Sequence, residues 1–316
     1  MDLGERPVDP AIAFVGGTGR SGTHVINNIV GRSSRYARVP IEARFHVNPQ
    51  GFPDLLSGEV DLEQFLRKLR GFWWRRIRAG EVAPAILRSV ALGRKARGLY
   101  KIVSEERFEA AVAEFEQAYG SDPEAACRNL FLDLLWPLAV EARKPGLTEM
   151  SCFTVAQAPT LLKLFGDAKF VHAVRDGRDA GASKVSKRQK RTHPRDGLEG
   201  LRWWEGRLGN IERGIRAIPP ERLHTISLDE LVSGDREAVY GELLAFLELS
   251  DEPEMRDYLD QGVRPEAAHS GRWKERLSES EQLALTSEYE RTLDRIDAEG
   301  FHCAALLRRA FERQPV

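Results

Sequence analysis

Three cysteines, Cys127, Cys152 and Cys303, are all that the 316-residue chain contains. They are far apart and odd in number, and no pair has metal-ligand spacing. That speaks against a disulfide framework or a zinc site and fits a reduced compartment. Long apolar runs are also missing. The longest, Asn129–Val140, is interrupted by Asp133 and Pro137 and is too short to span a bilayer. The amino-terminal MDLGERPVDP is polar and acidic, without the apolar core of a signal peptide. These absences point to a cytoplasmic protein. There is no charge of one sign to speak of: the net charge is −1, so no general attraction to nucleic acid is expected. Repeats and low-complexity linkers are absent too. A single domain over 1–316 is therefore expected, with its core at about 11–305.

What is present alternates between short apolar runs and helical periodicity. Ala11–Val15 (AIAFV) ends in glycines and predicts a buried parallel strand feeding a tight turn. THVINNIVGRSS follows as a helix closed by Gly31. Further strands are expected at Ala37–Ile41, Lys169–Arg175 and Arg222–Ser227. Helical patterns occupy Glu105–Ala142, with a break near Gly120–Pro123, and then Pro159–Phe165, Leu198–Ile218 and Ala238–Leu249. Strands alternating with helices imply an α/β fold: a parallel sheet with helices on both faces.

Between the first strand and its helix lies GGTGRSGTH, residues 16–24. Glycines there permit unusual backbone angles, so successive N–H groups can turn toward an anion at a helix N-terminus. Gly17 and Gly22 have the spacing of a nucleotide P-loop, GxxxxGK(S/T), but Thr23 stands in place of its lysine and His24 in place of its magnesium-binding hydroxyl. The cation sits inside the loop instead, as Arg20. A metal-dependent kinase or NTPase is therefore the weaker alternative.

The segment GRSGTH resembles the 5′-phosphosulfate loop of sulfotransferases that use 3′-phosphoadenosine 5′-phosphosulfate (PAPS), often written (R/K)SGTT. Arg20, Ser21, Gly22 and Thr23 match it, and His24 stands where a second threonine is usual. The resemblance implies a three-layer, P-loop-kinase-like fold. It also implies sulfuryl transfer from PAPS to an acceptor hydroxyl, leaving 3′-phosphoadenosine 5′-phosphate, with no metal. Gly19, Arg20, Ser21, Gly22, Thr23 and His24 would then hold the phosphosulfate. A second match is FVHAVRDGRDAGAS, residues 170–183, which resembles the family's 3′-phosphate strand–loop–helix. It assigns Arg175 and Ser183 to the 3′-phosphate. Taken alone, Arg175 could equally pair with Asp176 or Asp179 at a helix cap.

Transfer to a hydroxyl needs a base. The segment VPIEAR, residues 39–44, resembles the E-x-R segment of tyrosylprotein sulfotransferases. That makes Glu42 the candidate base and Arg44 its orienting or substrate-binding partner. His46 is the second candidate, and His172, mid-strand, is expected to be a satisfied core histidine. Leu147–Thr154 resembles the segment before the acceptor helix in the same relatives, with Met150 where a sulfate-contacting lysine is frequent. Finally, HSGRWKERL, residues 269–277, resembles the family's C-terminal GxWK segment. It adds Arg272, Trp273 and Lys274 to the nucleotide site, or else begins a helix with Trp273 in the core.

One stretch has no counterpart in that family: about 61–100, expected to be a basic helical insertion. From Arg67 to Arg97 it holds ten Lys/Arg and one acidic residue. It is either a solvated face with Trp73 and Trp74 packed inward, or an anion-attracting lid or peripheral membrane contact. Small-metabolite, glycan and tyrosine hydroxyls all suit the expected acceptor, and the basic stretches suggest an anionic one. Oligomeric state leaves no mark on the sequence.

Overall fold

The computed structural model describes residues 9–75, 98–186, 193–268 and 270–313. The described residues form five strands: β1 (Ala11–Gly17), β2 (Tyr36–Arg38), β3 (Gly146–Glu149), β4 (Lys169–Val174) and β5 (Leu223–Ser227). They lie side by side in the order β2-β3-β1-β4-β5 and pair in parallel throughout. This is the expected three-layer, P-loop-kinase-like architecture.

Strand β1 explains why the sheet is covered on both faces. Its run is apolar without alternation, and successive side chains point to opposite sides. Ile12 and Phe14 enter one core with Phe131, Leu161, Phe165 and Phe170. Ala13 and Val15 enter another with Ile26, Ile29, Tyr240, Leu243 and Leu259. The first core is roofed by helices Glu105–Tyr119, Pro123–Leu135 and Ala158–Leu164. The second is roofed by helices Thr23–Val30, Arg236–Leu247 and Pro253–Gly262. Phe14 is fully buried and its ring lies 5.6 Å from that of Phe170. Truncating such a ring to alanine costs about 3–5 kcal/mol. A third apolar cluster joins helix Gly197–Ile215 to helix Glu279–Ala298 through Trp204, Leu208, Trp273, Tyr289 and Leu293.

The sequence pattern misses β3 and misplaces β2. Strand β3 is only four residues, GLTE, too short to show a period. Strand β2 begins at Tyr36, and Val39 N still donates to Thr148 O at 2.9 Å. Pro40 has no N–H to continue the ladder, so the strand cannot reach Ile41. Pro137 likewise separates helix Pro137–Ala142 from the helix before it.

Of the expected basic insertion, 76–97 lies outside the described residues. The three arginines before that gap face acidic partners, and Lys68 donates to Pro49 O at 2.6 Å. Arg70 pairs with Glu109 and Glu116, Arg67 with Glu63 at 2.7 Å, and Arg75 faces Glu105 at 3.9 Å. Trp73 and Trp74 are buried, and Trp74 stacks on Phe108 with ring centroids 4.1 Å apart. The packed-face alternative therefore describes this part of the segment.

Candidate active site

From β1 the chain turns toward β2, and from β4 it turns toward β5, so the strand order reverses between these two neighbours. In open α/β sheets ligands bind outside the carboxyl ends of the strands at such a point. Both phosphate-loop candidates emerge there.

The loop after β1 is held in a contour that favours glycine. Gly19 has φ +83° and Gly22 φ +94°, and between them Arg20 adopts φ +68°. A non-glycine residue in that region carries strain of the order of 1 kcal/mol or more, which persists where its surroundings fix it. They do here. Arg175 Nη1 donates to Arg20 O at 3.4 Å, and Arg20 Nε donates to Ser183 Oγ at 2.8 Å. Gly22 is the N-cap of helix Thr23–Val30 and supplies no side-chain cap. Val25 N turns back to Gly22 O at 2.8 Å, and the positive end of the helix favours an anion there. Thr23 is buried in this first turn, and His24 is exposed. Ser21 Oγ and Thr154 Oγ1 are buried and make no hydrogen bond among the described residues.

The loop after β4 is a dense ion cluster. Asp176 caps helix Gly177–Val185 by accepting from Arg178 N at 2.8 Å, and its carboxylate pairs with the Arg178 guanidinium at 2.6 Å. Arg175 is buried and faces Asp179 at 3.5 Å, so the ion pair that the sequence left open is formed. Asp179 also accepts from Gly271 N at 2.8 Å and Trp273 N at 3.3 Å. It thereby ties the C-terminal segment to the β4 loop. Trp273 is buried in the third cluster, 4.5 Å over the Arg178 guanidinium. Arg272 Nε pairs with Glu275 at 3.1 Å, and Lys274 Nζ lies 5.6 Å from the Trp273 ring centre. His269 lies outside the described residues, as do 187–192 of the basic loop after Val185. Beneath the cluster, Asp229 accepts from Asp176 N at 2.7 Å. Burial, followed by the Asp176 charge, pushes the Asp229 carboxyl up to about 7.

On the other side of β1 the E-x-R segment is organised by a residue that the sequence reading passed over. Glu149, at the end of β3, is fully buried and accepts four hydrogen bonds. Its donors are Ala43 N at 3.1 Å, Ser151 N at 2.9 Å, Ser151 Oγ at 2.7 Å and His46 Nε2 at 3.0 Å. Burial alone would raise this carboxyl, but the His46 ring and the Ser151 donors together hold it below the ordinary carboxylate range. Arg44 adopts φ +68°, and its N–H donates to Ser151 Oγ at 2.9 Å. Glu42 is thus presented beside Arg44, with which it forms an ion pair, and beside Cys152, whose Sγ lies 3.3 Å from Glu42 Oε1. His46 is fully buried against Phe14, Phe45 and Phe131, out of reach of a bound molecule. Met150 is buried in the second core, away from the site where the sequence resemblance would put a lysine.

The two sides meet at Cys152. Its carbonyl accepts from Gly17 N at 3.0 Å, joining the donor loop to the base segment. Burial, the largest influence, raises the thiol pKa, opposed by Arg44, Arg207 and Arg20. Arg207 was not among the expected site residues. It lies on helix Gly197–Ile215, four residues after Trp203, in a segment the sequence marked only as helical. His172 is fully buried, but both its ring nitrogens lack hydrogen bonds among the described residues, so it is not the satisfied core histidine expected. Burial lowers its pKa from 6.5 to about 3, so the ring is neutral.

The positive helix end, the orphaned hydroxyls, and the pair Arg20 and Arg175 fit an anion-rich ligand. The sequence profile of the sulfotransferase family matches residues 11–253, from β1 to the start of the helix after Glu252. The chain belongs to that family, whose members transfer sulfuryl groups, and the metal-dependent kinase alternative is not favoured. No curated protein matches the sequence significantly. Among solved structures the chain is similar to the sulfotransferase domain of the Synechococcus PCC 7002 olefin synthase. The identity is 17% and the TM-score 0.48, over 90% of each chain. It is similar to a sulfotransferase from Alicyclobacillus acidocaldarius at 15% identity and TM-score 0.48, over 97% of this chain and 100% of that one. It is also similar to a sulfotransferase from Mycobacterium avium at 16% identity and TM-score 0.44, over 92% of this chain and 78% of that one. Among the described residues no helix is long and apolar enough to cross a membrane.

Proposed function

We propose that this protein transfers the sulfuryl group of PAPS to the hydroxyl of an acceptor. What supports the proposal above all is the meeting of three segments at the carboxyl ends of β1, β3 and β4. Arg20 bonds to Ser183 across the donor side, and Cys152 touches Glu42 on the acceptor side. The 5′-phosphosulfate is assigned to the Gly19–His24 loop with Arg20. The 3′-phosphate is assigned to Arg175 and Ser183, and Arg272 and Lys274 are added to it from the segment that Asp179 ties to the β4 loop, with Trp273 as packing support. Arginine suits both, because its planar fork stays charged and matches oxyanion geometry.

Glu42 is the proposed base. It takes the proton of the acceptor hydroxyl as the acceptor oxygen bonds to sulfur and the bond from sulfur to the bridging phosphate oxygen breaks. The nucleotide leaves as 3′-phosphoadenosine 5′-phosphate. The Arg44 ion pair orients the Glu42 carboxylate. Burial and the Glu149 bond make His46 a positioning residue for this loop, not a second base. Arg20 stabilises charge gathering on the departing phosphate. Preorganised cations carry that charge, so the proposed transfer runs without a metal ion. A hydroxyl-bearing small metabolite is the proposed acceptor class, and the arginines around Glu42 favour one with an anionic group.

The test is sulfate transfer from radiolabelled PAPS to a panel of hydroxyl acceptors with EDTA present. Label should appear on an acceptor, and Glu42→Gln should lower kcat at least about 100-fold, as loss of a general base does. Full activity in Glu42→Gln would remove it from this role. A strict requirement for magnesium and ATP would overturn the proposal itself.

A further inference from the structure

Arg207 is a half-buried cation whose guanidinium meets aromatic rings rather than a carboxylate. Its guanidinium lies 4.4 Å over the Phe153 ring and 5.8 Å from the Trp203 ring. Trp203 in turn borders the donor loop. A Cβ at Gly19 would stand 3.9 Å from the Trp203 six-membered ring and 3.5 Å from Cys152 Sγ. Phe153 follows Cys152, the residue in contact with Glu42. Arg207 therefore packs on two residues that adjoin these elements, Trp203 beside the loop assigned to the donor and Phe153 next to the Cys152 that touches Glu42. Two ring faces screen this charge only in part: burial lowers the Arg207 pKa, opposed by the Cys152 sulfur. A fold retains such a group where an anion arrives.

We infer that Arg207 binds the oxygens of the sulfuryl group as it passes from donor to acceptor. The inference rests on the proposed function. In that reaction sulfur begins on the nucleotide phosphate and ends on the oxygen whose proton goes to Glu42. Its three other oxygens keep their negative charge throughout. The space between Gly19, Cys152 and Glu42 is where both endpoints can be met, and Arg207 borders it together with Arg20 and Arg44, the other guanidiniums that act on the Cys152 thiol. With five N–H donors in one plane, Arg207 can grip two of those oxygens and follow them over the short path of transfer.

The test compares two ligands that differ only by the sulfuryl group. PAPS and 3′-phosphoadenosine 5′-phosphate are titrated by calorimetry, without acceptor, into the full chain and into Arg207→Met and Arg207→Lys. Methionine keeps the stem that packs on Phe153 and Trp203, and lysine keeps the charge. Arg207→Met should weaken PAPS about tenfold, the size of one charge-assisted contact, and leave the desulfated nucleotide within about twofold. Arg207→Lys should recover part of the loss. Unchanged PAPS affinity with a raised KM for an anionic acceptor would overturn the inference and place Arg207 on the acceptor. Equal weakening of both nucleotides would overturn it in favour of support for the donor loop. Failure of the unaltered chain to bind the desulfated nucleotide would overturn the donor assignment, and this inference with it.

Discussion

Arg20 Nε donates to Ser183 Oγ at 2.8 Å, joining residues 163 positions apart in sequence. One belongs to the loop after β1, the other to the second turn of the helix after β4. The bond ties the two halves of the anion site together in register. Binding of a nucleotide with phosphates at both ends has little ordering left to do.

Ser183→Ala removes the acceptor of that bond and a hydroxyl assigned to the 3′-phosphate. Binding of 3′-phosphoadenosine 5′-phosphate should weaken about five- to thirtyfold, or about 1–2 kcal/mol. The melting temperature should change little, because Arg20 is exposed and can turn to water. A large loss of stability with unaltered binding would show that the contact is architectural.

Glu149 is predicted to govern turnover without governing donor affinity. Its four hydrogen bonds hold the Glu42–Arg44 segment, while both donor loops are fixed by other contacts. Glu149→Ala leaves buried donors without an acceptor and should destabilise the fold by about 3–5 kcal/mol. In the fraction that remains folded, kcat should fall at least tenfold and nucleotide affinity by no more than about twofold. The pH dependence has a sign. The carboxyl pKa is lowered in the folded state, so its contribution is present above the unfolded value of about 4.3 and is lost as pH falls through the lower folded value. Chemical denaturation at pH 7 and pH 3.5 measures both effects.

His172 should destabilise the protein in acid. Its folded pKa of about 3 lies below the ordinary 6.5. Between those values the unfolded chain binds the proton more readily, so stability is full above about 6.5 and declines as pH falls toward 3. Neither ring nitrogen has a hydrogen-bond partner among the described residues, so His172→Leu leaves no partner stranded. The variant should match the parent within about 1 kcal/mol at pH 7.5 and exceed it at pH 5. Parallel pH profiles for the two proteins would contradict this.

Local chemistry was the legible part of the sequence. Glycine spacing and an apolar run expose β1 and its loop, and Arg175 shows itself at the end of a second apolar run. The E-x-R segment is equally local. Residues whose roles depend on distant partners left no such mark. Glu149 sits in a four-residue strand, and its donors come from Ala43 and His46, about a hundred residues earlier. Phe45 and Val47 flank His46 on both sides, a signal of burial that position relative to Arg44 alone did not carry. Asp179 reads as one more acid in RDGRDAG until the chain returns at Gly271 and Trp273. Arg207 was hidden by its helix: an arginine in an amphipathic stretch reads as solvated, and only the fold shows that Trp203 and Phe153 shelter it.

The most direct measurement is calorimetric titration of the purified protein with 3′-phosphoadenosine 5′-phosphate in EDTA, with ATP–magnesium as competitor. The account predicts tight, metal-independent binding that ATP–magnesium does not displace and that Arg175→Ala weakens at least tenfold. Absence of that binding, with ATP–magnesium bound in its place, would contradict it.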